Sequence, residues 1–140
     1  MNRPMIRRMT EGDAAAVARI QAAAVEAAHW EPRGYLAFEA FVIEVDGRVA
    51  GFLAMRETAP GEAEVLNLAI APEFRRQGLA RRILEQAAFR ERRAVFLEVR
   101  QSNAAGRSLY RSLGFVECGE RANYYRDPAE AAVLMRRDPD

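Results

Sequence analysis

The chain has 140 residues, enough for one ordinary domain with its own core. Half of the residues are apolar and 29% are charged, a globular balance, and a formal net charge of +1 gives no general field for nucleic acid. No apolar run approaches the ~18 residues that span a bilayer, and the amino end "MNRPMIRRMT" lacks the apolar stretch of a secretory signal. A soluble, cytoplasmic protein is therefore expected, with neither membrane nor nucleic acid as partner.

A short strand at residues 5 to 9 ends at Thr10, and "TEGD" reads as a helix cap with Asp13 at the positive end. The alanine-rich stretch "DAAAVARIQAAAVEAAHW" repeats Val17, Ile20 and Ala24 at helical spacing until Pro32 and Gly34 interrupt it. Two apolar runs in "FEAFVIEVDGRVAGFLAMR" are joined by Asp46-Gly47, a strong hairpin signal. "TAPGE" reads as a loop before the strand "AEVLNLAI", which Pro72 stops. The next helix is expected over residues 76 to 92, with Leu79, Ile83 and Ala87 on one stripe.

"AVFLEV" is a short apolar strand, and Asn103 caps a further helix that ends at Gly114. "FVECGE" and "AAVLMRR" are the last two strands, with "RANYYRDP" as the loop between them. The single cysteine, Cys118, excludes an internal disulfide and is expected to be a small core residue. The order predicts an α/β fold, a mixed sheet with helices on both faces. Residues 65 to 99 form a strand-helix-strand crossover whose two strands should be parallel neighbours. No repeat or linker divides the chain, so residues 1–140 are expected to be a single domain.

Between that crossover's first strand and its helix stands "PEFRRQGLARRIL", four arginines around Gly78. A helix N-terminus presents free N–H groups and partial positive charge, so it attracts phosphate. Gly78 and the small Ala80 clear space for close approach, and the arginines add charge and donors. The arrangement suits a pyrophosphate, while a solvated basic helix start is the bland alternative. Neither G-x-x-x-x-G-K-[ST] nor G-x-G-x-x-G is present.

"RRQGLA" does fit [Q/R]-x-x-G-x-[G/A], and with "LEVRQSN", "LYRSLGF" and "NYY" following in order it resembles the GNAT superfamily of N-acyltransferases. Within it, the chain is most similar to the bacterial ribosomal-protein-alanine N-acetyltransferases, the RimI family. The resemblance implies a mixed, mostly antiparallel sheet of about seven strands, acetyl-CoA as co-substrate and no metal. It also implies that the backbone of Leu68, Ala69 and Ile70 holds the acetyl and pantetheine groups. The pyrophosphate turn falls on Arg75, Arg76, Gln77, Gly78, Leu79, Ala80 and Arg81, and Asn103 matches a coenzyme A contact or serves as a plain helix cap.

Amine attack on a thioester needs a base, donors for an oxyanion and a proton for the thiolate. Alternation in "AVFLEV" puts Phe96, Glu98 and Arg100 on one face and Val95, Leu97 and Val99 on the other. Glu98 lies near a strand's carboxyl end, where ligand crevices of open α/β sheets occur. The family's proposed general base also falls on Glu98, although pairing with Arg100 or another arginine is an alternative. By resemblance Tyr110 is the acid for the thiolate, or else a core aromatic. Tyr124 and Tyr125 are expected in a substrate-covering loop or as loop anchors, and Trp30 as a substrate-side wall or a packed residue. His29, the only histidine, is a fallback base.

The implied partner is a protein N-terminus, most simply the alanine of a ribosomal protein. A small-molecule amine, another protein terminus and a non-catalytic acyl-CoA-binding module are the competing readings.

Overall fold

Asp46 and Gly47 both adopt left-handed backbone, with φ of 53° and 77°, as a two-residue hairpin turn requires. They join β2 (Glu39–Val45) to β3 (Arg48–Ala59). In this computed structural model, which describes residues 3–24, 30–126 and 129–140, the remaining strands are β1 (Met5–Arg8), β4 (Glu62–Ile70), β5 (Ala94–Arg100), β6 (Val116–Arg126) and β7 (Ala129–Arg137). They form one seven-stranded sheet in the order β1-β2-β3-β4-β5-β7-β6. β4 and β5 pair in parallel, residues 62–64 against 94–96, as the crossover demands, whereas β1–β2, β2–β3, β5–β7 and β6–β7 are antiparallel.

The helices are α1 (Ala14–Ala23), α2 (Leu79–Ile83, continued by a π turn to Ala88) and α3 (Ala104–Ser112). α1 ends earlier than its alanine content suggests, because Ala24 is already extended at φ −103°, ψ 107°. Residues 25–29, including His29, lie outside the described residues. α2 is shorter than expected at both ends. Arg76 (φ 63°) and Gly78 (φ 74°) are left-handed, so helical backbone cannot begin before Leu79. "TAPGE" is mostly strand, with only Pro60 and Gly61 between β3 and β4. "RANYYR" is likewise strand rather than loop and belongs to β6. Cys118 is exposed and not in the core, because β6 is an edge strand.

The chain falls into two compact units. The first comprises residues 1–56 and 66–91. Its core gathers Met9, Val17 and Ile20 with Tyr35, Val42, Phe52 and Ala69. Burying a side chain such as Ile20 or Phe52 contributes about 1.5–3 kcal/mol. The second comprises residues 57–65 and 92–140. There the inward set of β5, Val95, Leu97 and Val99, is buried, and Leu97 and Val99 oppose the buried Met135 and Val133 of β7. The alternation read from "AVFLEV" therefore holds, and it leaves Phe96, Glu98 and Arg100 partly exposed on the other face.

Candidate active site

The first unit carries the loop. Residues 75–78 lead from a single turn at Pro72–Phe74 into α2, and the first intrahelical bond there runs from the Arg82 N–H to the Gly78 carbonyl. The N–H groups before it have no partner within the helix, as at any helix start. A Cβ placed on Gly78 would meet nothing within 4 Å, so the space beside the loop is open. Arg76 and Gly78 are both left-handed, the backbone hand from which anion-binding turns are built. Arg75 braces the loop by donating from Nε to the Ile70 carbonyl at 3.2 Å. Leu79 is buried at 2% exposure, so only its backbone is available to a ligand.

Leu68, Ala69 and Ile70 occupy the carboxyl end of β4, pressed against β3. A Cβ on Gly51 would lie 2.4 Å from Ile70 Cδ1 and 2.8 Å from the Ala69 carbonyl oxygen, so only glycine allows this approach. The residue before them, Asn67, is buried in a polar network that sequence reading missed. Its Nδ2 donates to the Tyr35 hydroxyl at 2.9 Å and to Gln21 Oε1 at 3.2 Å, and its Oδ1 accepts from the Leu68 N–H at 3.0 Å. Tyr35 donates to the same Gln21 oxygen at 2.6 Å, and Gln21 Nε2 donates to the Trp30 carbonyl at 2.6 Å. Burial raises the Tyr35 phenol, so it remains the donor. Trp30 is 43% exposed with its ring stacked on Tyr35 at 5.7 Å. No periodicity announces residues 21, 35 and 67 as neighbours.

The second unit carries the acid–base candidates. Glu98 pairs with Arg121 of β6, Nη1 to Oε1 at 2.9 Å, while Arg100 pairs with Glu130 at 3.3 Å. Of the alternatives left open by the sequence, another arginine and not Arg100 is thus the partner. Glu98 Oε2 is buried and has no hydrogen-bond partner. Tyr124 and Tyr125 meet edge to face at 5.1 Å, with Arg121 over the first ring at 4.4 Å and Arg100 over the second at 4.2 Å. Burial, then hydrogen bonding to the Glu98 carboxylate and its charge, raises the Tyr124 phenol; burial and the charge of the same carboxylate push Tyr125 up to about 12. Tyr110 projects from α3, packs on Phe115 at 5.7 Å and is pushed up to about 12 by burial. Asn103 caps α3, its Oδ1 accepting from the Gly106 N–H at 2.9 Å.

The structure thus brings Glu98, Tyr124 and Tyr125 together and adds Arg121. Among the described residues, no group of three or more His, Cys, Asp or Glu side chains gathers to hold a metal ion. No helix among them is long and apolar enough to cross a membrane.

A seven-stranded, mostly antiparallel mixed sheet with flanking helices is the fold of an N-acyltransferase. The profile of the acetyltransferase (GNAT) domain matches residues 37–117, and the chain belongs to that family. It is an acetyl-CoA-dependent N-acetyltransferase. The [ribosomal protein bS18]-alanine N-acetyltransferase of Escherichia coli K12 is 43% identical over 101 residues, covering 68% of each chain. The crystal structure of the Escherichia coli ribosomal-protein-S18-alanine N-acetyltransferase superposes with a TM-score of 0.82 at 31% identity, over 96% of this chain and 93% of that one. Ard1 from Thermoplasma volcanium superposes with a TM-score of 0.87 at 28% identity, over 98% of both chains.

Proposed function

We propose that residues 1–140 act as a single N-acetyltransferase domain that acetylates the α-amine of a protein N-terminus, with the amino-terminal alanine of a ribosomal protein of the bS18 kind as acceptor. One observation carries the chemistry: a carboxylate at the end of β5 whose Oε2 is buried and unpartnered, beside a cluster of tyrosines. The relatives' names carry the acceptor. Such an acceptor places the reaction in the cytoplasm.

Acetyl-CoA supplies an activated acetyl group as a thioester. The N–H groups and arginines of residues 75–81 hold its pyrophosphate, and the backbone of residues 68–70 orients the pantetheine and the thioester carbonyl. Asn103, its Oδ1 committed to the cap, keeps Nδ2 as a donor toward coenzyme A. Glu98 Oε2 accepts the proton of the acceptor ammonium. The nitrogen lone pair then forms the C–N bond as the C–S bond breaks, the Tyr110 hydroxyl protonates the departing thiolate, and the second proton shed by the acylated nitrogen replaces the one Tyr110 has given up. A phenol raised to about 12 is fully protonated at neutral pH, as this step requires. Trp30, Tyr124 and Tyr125 contact the acceptor peptide.

The acceptor reading follows from proton bookkeeping. An α-amine of pKa near 8 is some per cent to some tens of per cent neutral at pH 7–8, whereas lysine near 10.4 is below about one per cent. One carboxylate is a weak base and suits the first amine. Peptides with a free Ala-Arg terminus should be acetylated at least about tenfold faster than an internal lysine in a blocked peptide, read by mass spectrometry. Equal rates, or activity on small polyamines alone, would remove the ribosomal reading and leave the acetyltransferase standing.

A further inference from the structure

The two oxygens of Glu98 have unlike surroundings. Oε1 accepts the 2.9 Å hydrogen bond from Arg121 Nη1, whereas Oε2 is buried without a partner. Leaving a buried acceptor unsatisfied costs about 1–3 kcal/mol, so Oε2 can take a donor from outside the chain in competition with the Tyr124 hydroxyl, which also interacts with the Glu98 carboxylate. Arg121 reaches Oε1 because β6 is irregular. Arg121 opposes Ala132 and Tyr125 opposes Glu130, so β6 uses extra residues here, and Asn123 within them is left-handed at φ 56°. Strict alternation would send the side chains of residues 121 and 124 to opposite faces. The bulge instead lays the Arg121 guanidinium over the Tyr124 ring at 4.4 Å. Salt bridge and ring contact together hold one planar cation in one place.

We infer that Arg121 is a positioning residue for the acyl transfer: it clamps Oε1 of Glu98 so that Oε2 faces the acceptor amine, and its fixed charge disfavours the ammonium form of that amine. The inference rests on Glu98 being the base. The groups facing the pair are Tyr124 and Tyr125 from β6, Glu64 from β4 and Arg100 from β5, the last tied to Glu130. Tyr110 of α3 acts on the same cluster through Tyr125. Both tyrosines of β6 have raised phenols and stay neutral over the working range, so Arg121, paired directly with the carboxylate, is a cation there that does not change with pH.

The test is steady-state kinetics of the full chain with acetyl-CoA and an alanine-terminated peptide from pH 5.5 to 9.5, on wild type, Arg121→Gln, Arg121→Lys and Glu98→Gln. Arg121→Gln keeps a neutral donor but removes the charge. It should lower kcat roughly 10–100-fold and move the acid limb of the kcat profile up by about one unit, with KM for acetyl-CoA unchanged. Arg121→Lys should restore the position of the limb and most of kcat. Calorimetric affinity for acetyl-CoA checks that each variant is folded, which is expected because Arg121 is an exposed residue. Wild-type kcat and an unmoved limb in Arg121→Gln, with Glu98→Gln inactive, overturn the role of Arg121 alone. Wild-type turnover in Glu98→Gln overturns the base assignment itself. A limb that moves equally in Arg121→Gln and Arg121→Lys also overturns the inference, since charge is then not the property that matters.

Discussion

Glu98 and Tyr110 differ in what a single atom does, and that difference is measurable. Tyr110→Phe keeps the ring on Phe115 and removes only the proton donor. A positioned acid or base contributes about 10²–10⁴ in rate, so kcat should fall by that order with little change in acetyl-CoA affinity. Unaltered turnover would return Tyr110 to a packing role. The pH dependence of the acid has a definite sign. Its proton is lost only as pH rises through about 12, so Tyr110 imposes no decline in kcat between pH 8 and 10. A steep alkaline limb in that interval, absent from Tyr110→Phe, would refute this. Asn103 and Tyr110, seven residues apart, were both legible from "RQSNAAGRSLY" because a cap and a helix face are local properties. Arg121 was not, because nothing near it in the sequence signals a bulge.

Helix ends and strand contacts are the elements on which the loop and the acid–base cluster hang. The entry to α1 is held by Asp13, which accepts two 2.8 Å hydrogen bonds from Arg7 and one at 2.8 Å from the Thr10 N–H, while Arg7 also bonds Glu44 of β2. The Arg7 guanidinium lowers the Asp13 carboxyl from 3.8 to about 2 against the opposing effect of burial. A folded-state value below the unfolded one stabilises the protein above about pH 4, and that contribution is lost as pH falls through 2. The difference amounts to about 2 kcal/mol. Urea unfolding should therefore show Asp13→Asn less stable at pH 7 and nearly equal to wild type at pH 2. Parallel losses at both pH values would mean the carboxylate charge is irrelevant. A second element-scale test lies at α3. A Cβ on Gly106 would stand 2.7 Å from Asn103 Nδ2, so Gly106→Ala should displace the cap despite alanine's better helix propensity. The expected result is a loss of about 1 kcal/mol rather than a gain.

At the scale of the whole molecule, ligand binding and folding are linked. A ligand at 100 times its Kd that binds only the folded chain adds about 2.7 kcal/mol of stability. Acetyl-CoA should therefore raise the melting temperature of wild type. Gly78→Ala and Gly78→Asp share the strain of a side chain at φ 74°, about 1–2 kcal/mol, but only the second brings negative charge to the open side of the loop. Both variants should melt lower than wild type without ligand. The acetyl-CoA-induced rise should largely persist in Gly78→Ala and vanish in Gly78→Asp. Equal rises in the two variants would show that residues 75–81 do not hold the pyrophosphate.

What the sequence determined by itself is what neighbours along the chain decide. The left-handed pair Asp46-Gly47, the alternation of β5 and the Asn103 cap all follow from backbone sterics and side-chain reach within a few residues, whereas the start of α2, expected at residue 76, falls at Leu79. The place of Glu98 on its strand was legible for the same reason, and so was a glycine turn at Gly78 ahead of a helix. What only the tertiary structure decided is which distant groups meet. The partners in Glu98–Arg121 are 23 residues apart, and those in Gln21–Asn67 are 46 apart. Their meeting depends on sheet order and on a bulge, which hydrophobic period does not encode. Cys118 shows the same limit. An apolar-looking strand is buried or exposed according to its place in the sheet, and β6, at the edge, exposes nearly all of its residues.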